Sequence, residues 1–205
     1  MDMFIADTHF GHTQVLEKCR PQFSSIEEMN EKIIDNINKK MTRNDTLYIL
    51  GDFAYRSRVS PTEYLKAIKP KKVLILGNHD SWVKKLTEDE IKKYIVGGVH
   101  NELRIKKNGI ELYLCHYPRL AWDRSHYFGT TFSICGHIHN ATSGRISQEL
   151  FHLINNQFNA GVDINNFEPV TLEELIKNNQ EFYKRSYTDS EKSLLCKAIE
   201  RYNSK

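Results

Sequence analysis

Three polar side chains, Asn78, His79 and Asp80, stand directly after an apolar run at 73–76. The arrangement recurs along the chain. Asp7-Thr8-His9 follows 3–6, Gly51-Asp52 follows 46–50, His116 ends 110–115, and Gly136-His137-Ile138-His139 follows 131–135. Each run is short and β-prone, so each reads as a buried strand. In open α/β sheets, ligands collect just outside the carboxyl ends of strands. Asp7, Asp52, Asn78, His9, His79, His116, His137 and His139 are therefore expected in one cluster.

That set contains no thiolate, which disfavours soft-metal and iron–sulfur sites. Imidazole, carboxylate and amide oxygen together suit Mn²⁺, Fe, Zn²⁺, Co²⁺ or Ni²⁺, with Mn²⁺ the first expectation. These are also too many groups for one ion that takes about four to six ligands. Two ions sharing a bridging carboxylate would use them all. A metal pair about 3.5–4 Å apart is the usual device for in-line displacement at phosphorus.

The elements that must position these groups are legible too. Ser24 or Ser25, with Glu27 or Glu28 three residues on, makes a capping box ahead of Ile26, Met29, Ile33, Ile37 and Met41. Ser60-Pro61-Thr62-Glu63 starts a second helix, and Thr171-Leu172-Glu173-Glu174 a third. A lysine-rich helix is expected over about 189–203. Strand–helix–strand alternation in the first half implies a partly parallel sheet with helices packed on it. Lys107-Asn108-Gly109 between two alternating runs signals a hairpin, so the second half is expected to turn antiparallel. A weaker strand is read around 158–162, beside an Asn/Gln-rich patch at 155–166.

Composition sets the bounds. At 205 residues, 40% apolar and 27% charged, the chain reads as one soluble domain over 1–205. No run approaches the roughly 20 apolar residues of a membrane helix, and the opening residues do not read as a signal peptide. Cys19, Cys115, Cys135 and Cys196 stand far apart, as expected of reduced thiols in the cytoplasm. Net charge is +3, spread over short lysine pairs, a poor footprint for nucleic acid.

D-x-H, G-D, G-N-H-D, a later His and G-H-x-H, in that order from Asp7 to His139, resemble the calcineurin-like metallophosphoesterase superfamily. The opening D-T-H-F-G-H resembles its small, single-domain bacterial and phage members. The resemblance implies mixed sheets packed as a β-sandwich and flanked by helices. It implies a first metal on Asp7, His9 and His139, a bridge through Asp52, and a second metal on Asn78, His116 and His137. His79 would sit over the phosphate, protonating the leaving oxygen while metal-bridging hydroxide attacks in line. Asp80 would orient His79, although capping a helix that begins near Ser81 explains it nearly as well.

The resemblance also bears on substrate. Arg56 matches a phosphate-contacting arginine of the protein phosphatases, but Tyr55 and Ser57 depart from their G-D-x-V-D-R-G pattern. The second histidine of G-H-x-H is more typical of phosphodiesterases and nucleases. A phosphodiesterase acting on a nucleotide or small diester is the first expectation. A phosphomonoesterase is the alternative, ahead of a nuclease or an inactive scaffold. His12 faces the phosphate or closes a loop. Arg20 and Arg56 clamp a phosphate or pair with surface carboxylates, and Tyr117-Pro118-Arg119 lines the substrate pocket or an ordinary loop. His100, His126 and His152 have no partner in the pattern and read as structural, and Trp122 reads as core. Oligomeric state is not legible.

Overall fold

The computed structural model describes residues 1–141, 151 and 153–204; His152 lies outside them. Two four-stranded sheets form the centre. The first is parallel throughout, with β1 (Asp2–Ile5), β2 (Thr46–Leu50), β3 (Lys71–Ile75) and β4 (Val99–His100) side by side in that order. Its crossovers carry α1 (Gln14–Cys19), α2 (Ile26–Lys40), α3 (Pro61–Ala67), a 3-10 turn (Asp80–Lys85) and α4 (Glu88–Tyr94).

Local chemistry starts these helices. Ser25 Oγ accepts the Glu28 N–H at 3.1 Å to cap α2, and Ser60 caps α3 with Pro61 in its first turn. Along α2, Met29, Ile33 and Ile37 recur every fourth residue and are fully buried. They pack on Met3, Ile5, Leu47, Ile49 and Leu74, the helix-facing side of the first sheet. Truncating Ile33 to alanine there costs about 2–5 kcal/mol.

Alternation along the same strands turns Phe4, Ala6, Leu50, Val73 and Ile75 the other way, onto the second sheet. That sheet is β5 (Glu102–Lys107), β6 (Ile110–Cys115), β7 (Thr131–Cys135) and β8 (Gln157–Asn159). Asn108 and Gly109 both take positive φ (50° and 79°), as a two-residue hairpin turn between β5 and β6 requires.

Beyond that hairpin the expected antiparallel order fails. β6 pairs β7, and β7 pairs β8, in parallel. Residues 116–130 do not turn back as a hairpin. They cross the outer face of β5 and β6, where Trp122 is buried and Asp123 and Arg124 meet Arg104 and Glu111. A long crossover of this kind is what parallel pairing needs.

The last two helices, α5 (Leu172–Phe182) and α6 (Asp189–Asn203), each begin with a capping box, Thr171 with Glu174 and Thr188 with Glu191. Leu172, Leu175 and Ile176 of α5, and Leu195, Ala198 and Tyr202 of α6, close the core between the sheets. Bridges Phe4–Val170 and Ala6–Gly161 join the edge of β1 to the chain after β8. Through this seam the exits of β1, β2, β3, β6 and β7 reach one end of the molecule. Among the described residues, no helix is long and apolar enough to cross a membrane.

Candidate metal centre

The strand exits stay zipped after the sheet ends. Asp7 N–H donates to Gly51 O at 3.1 Å, His9 N–H to Asp52 O at 2.9 Å, and Gly136 N–H to His116 O at 2.9 Å. Within these turns five chemistry-bearing residues adopt left-handed backbone: Asp7, His9, Asp52, His137 and His139, with φ between 49° and 72°. Such conformations cost of order 1–3 kcal/mol each in non-glycine residues and persist only where the surroundings hold them. Gly136 shows how tight the packing is. A Cβ there would lie 2.7 Å from Ala6 Cβ and 2.8 Å from Asp7 Oδ2.

Among the described residues three overlapping groups of donor atoms result, each within 4.8 Å: Asp7, His9 and His139 at one end, Asp52, His116 and His137 at the other, and His9, Asp52 and His79 between them. Asp52 joins them, its Oδ2 lying 3.6 Å from both His9 Nε2 and His116 Nε2. Asn78 Oδ1 lies 3.1 Å from His116 Nε2 and extends the second group. His79 Nε2 is 3.9 Å from Asp52 Oδ2 on a ring about a quarter exposed, and its main-chain N–H donates to Asp52 Oδ1 at 2.8 Å.

Second partners settle which nitrogens face inward. His116 Nδ1 lies 2.9 Å from Leu50 O, an acceptor, so Nδ1 carries the proton and Nε2 turns a lone pair toward Asp52. His139 Nδ1 lies 2.8 Å from Asp163 Oδ2, with the same result. His9 and His139 then present their Nε2 atoms to one another at 3.3 Å. Burial, then the facing His139 and Arg20, push His9 far below the usual imidazole range, keeping it neutral. Burial alone would lower His139, but the hydrogen bond to Asp163 raises it. Burial likewise raises Asp52, against the pull of His116. Carboxylate oxygens and imidazole nitrogens converging here form a pocket that fits cations, and the oxygen–nitrogen set fits divalent ions.

Several expectations need correction. Asp80 neither orients the His79 ring nor caps the following turn. Its buried carboxylate accepts from Asp52 N at 2.8 Å, Gly77 N at 2.9 Å and Phe53 N at 2.9 Å, so it holds the backbone that carries Asp52. His137 and His139 do not share an extended register. Their left-handed turns bury Ile138 between them and send the two imidazoles to different groups. Arg20 is no substrate contact, being fully buried and bonded to Asp163 at 2.7 and 3.0 Å. Arg119 is also drawn away, paired with Glu102.

The remaining candidates divide. His12 backs the first group, its Nδ1 3.1 Å from His9 Nδ1, and burial lowers its pKa. Tyr117 packs its exposed ring on His116 and His137, at centroid distances of 4.9 and 4.8 Å. Arg56 is exposed and stacks on Tyr55, whose ring lies 4.0 Å from that of His79. The His100 ring bonds to Gly97 O, and His126 packs on Tyr127. All four cysteines are free thiols. Asp163 was missed: it lies beyond the last motif, and no spacing in the sequence links it to His139.

The family model for calcineurin-like phosphoesterases matches residues 3–187. The chain belongs to that family. Its mixed sheets flanked by helices are the family's fold, and with the two His/Asp groups it is a metal-dependent phosphoesterase. It is 28% identical over 178 residues to the uncharacterized protein MJ1445 of Methanocaldococcus jannaschii, covering 84% of this chain and 88% of that one. It is also similar to the crystal structure of AQ665, a protein of unknown function from Aquifex aeolicus. There the TM-score is 0.61 and identity 27%, over 86% of this chain and 98% of the other.

Proposed function

We propose that this phosphoesterase hydrolyses a phosphodiester of a nucleotide or another small molecule, using two divalent ions, Mn²⁺ first among them. The observation that carries this is the convergence of both ligand groups on Asp52 Oδ2, with the His79 ring at their open side. Asp7, His9 and His139 would hold one ion and Asn78, His116 and His137 the other, with Asp52 placed to serve both. Bound there, the ions supply an activated water and offset charge on the phosphoryl oxygens.

The chain's own residues do the rest. His79 is tethered by its N–H to Asp52 and packed on Tyr55, so its imidazole is poised to protonate a departing oxygen. Such an acid is worth ~10²–10⁴-fold, most for a poor leaving group. Beside His79 opens a groove of about 490 Å³ lined by Tyr55, Arg56, Trp82 and Lys85. With two cationic side chains against one carboxylate, Glu90, it offers room and positive charge for the alcohol half of a diester of nucleotide size. A reducing, cytoplasmic setting fits the free thiols. A net charge of only +3, without a long Lys/Arg stretch, gives a nuclease little support.

The test is hydrolysis of bis-p-nitrophenyl phosphate and p-nitrophenyl phosphate, side by side, by chelated and Mn²⁺-reconstituted protein. Metal-dependent diester turnover is expected. A clear preference for the monoester would replace this reading with a phosphatase, and salt-sensitive cleavage of DNA or RNA with a nuclease.

A further inference from the structure

The Asn/Gln-rich patch at 155–166 belongs to none of the motifs, yet it packs behind the first ligand group. Asp163, about 1% exposed, takes Arg20 Nε on Oδ1 at 2.7 Å and Arg20 Nη2 on Oδ2 at 3.0 Å. The same Oδ2 accepts His139 Nδ1 at 2.8 Å. Arg20 also donates to the main chain of D-x-H, Nη1 to Thr8 O at 3.1 Å and Nη2 to Asp7 O, and its Nη1 reaches Met29 Sδ at 3.3 Å. From the other side Asn159 Nδ2 donates to His139 O at 2.8 Å.

We propose that Arg20 and Asp163 are a positioning pair for one ion of the two, that held by Asp7, His9 and His139. The inference rests on the metal-site roles proposed above. One guanidinium fixes the turn that presents Asp7 and His9 and, through Asp163, the ring that presents His139. Stability alone does not account for the pair, because a buried ion pair is often matched or bettered by apolar side chains of similar volume. What apolar side chains cannot do is hold Nδ1–H of His139 and leave Nε2 bare. Carboxylate partners of this kind fix tautomer and ring orientation in metal sites, and losing them typically weakens affinity ~10–100-fold. Behind His116 the partner is a main-chain carbonyl, Leu50 O, untouched by this pair. The loss is therefore confined to one ion.

Calorimetric titration of metal-free protein with Mn²⁺ tests this on wild type, Asp163→Asn and the double variant Arg20→Met/Asp163→Leu. The double variant leaves no unpaired buried charge, and its thermal melt shows whether it is folded. Wild type is expected to take two ions. The double variant should keep one at wild-type affinity and bind the other ~10–100-fold more weakly. Asp163→Asn, which retains an acceptor for Nδ1, should lose less. Imidazole ¹⁵N spectra of metal-free protein should show Nδ1–H at His139 in wild type and a tautomer mixture in the double variant. A folded double variant taking two ions at unchanged affinity overturns the positioning role alone. Wild type taking none overturns it together with the metal-site reading.

Discussion

The two ligand groups are built from similar side chains and held in different ways. In the group of Asp52, His116 and His137 the imidazole of His116 is backed by main chain, Leu50 O, and a single side chain, Asp80, pins the amides of Asp52, Phe53 and Gly77. The group of Asp7, His9 and His139 is backed by side chains from far along the sequence, with Arg20 and Asp163 143 residues apart. A carbonyl of a sheet cannot be mutated away, whereas a carboxylate can. The His116 ring inherits its orientation from the fold, whereas the His139 ring needs a particular residue to supply it.

Substitutions can break that contrast or sharpen it. Asp52→Asn touches both halves, so metal content and hydrolysis should fall together, hydrolysis below detection. Activity retained with both ions bound would remove Asp52 from the junction. Arg20→Met strikes only the side-chain-backed half and leaves Asp163 buried without its cation, an expected loss of about 3–5 kcal/mol in urea unfolding. A loss under about 1 kcal/mol would show that Asp163 is content with His139 alone. His79→Ala touches neither half. Metal content should stay at the wild-type value while turnover drops ~10²–10⁴-fold, most for poor leaving groups. Gly51→Ala strikes first at the main-chain-backed half, since φ is +84° and a Cβ would lie 2.4 Å from His116 Nδ1. Destabilisation beyond about 1 kcal/mol should come with loss of one ion, checked by elemental analysis.

The smallest effect lies away from both groups. Burial pushes the Lys72 ammonium down from 10.5 to about 8, although Ile68 O and Pro70 O accept from it. Between those values the unfolded chain binds the extra proton, so Lys72's contribution to stability rises with pH across that window. Lys72→Met should flatten the rise in unfolding free energy between pH 8 and 10.5. An unchanged slope would assign the rise to other groups.

What the sequence reveals follows from the range of the forces involved. Caps act over three residues, so Ser25, Ser60 and Thr171 stand in the text of the chain, as does Asn108-Gly109 at its hairpin. Strand exits are legible for the same reason, because apolar runs end where polar side chains begin. Pairing across the fold leaves no such trace. Asp163 looks like any loop aspartate until β8 is laid beside β7 and the chain returns to β1. The parallel order of β6, β7 and β8 depends on a loop that packs over the sheet, and hydrophobic alternation is the same in either direction. The left-handed turns at His137 and His139 are likewise imposed by the crowding of Ala6 and Asp7 against Gly136.

The distance along the chain between His139 and Asp163 also sets an order of events during synthesis. All the candidate ligands have been translated by residue 139, but the carboxylate that turns the last of them follows 24 residues later. A nascent chain halted between them carries every ligand and only half of the scaffolding. Any ion it picks up meets an imidazole still free to rotate. The ring of His139 is therefore fixed only after residue 163 has been made and the seam beside β1 has formed.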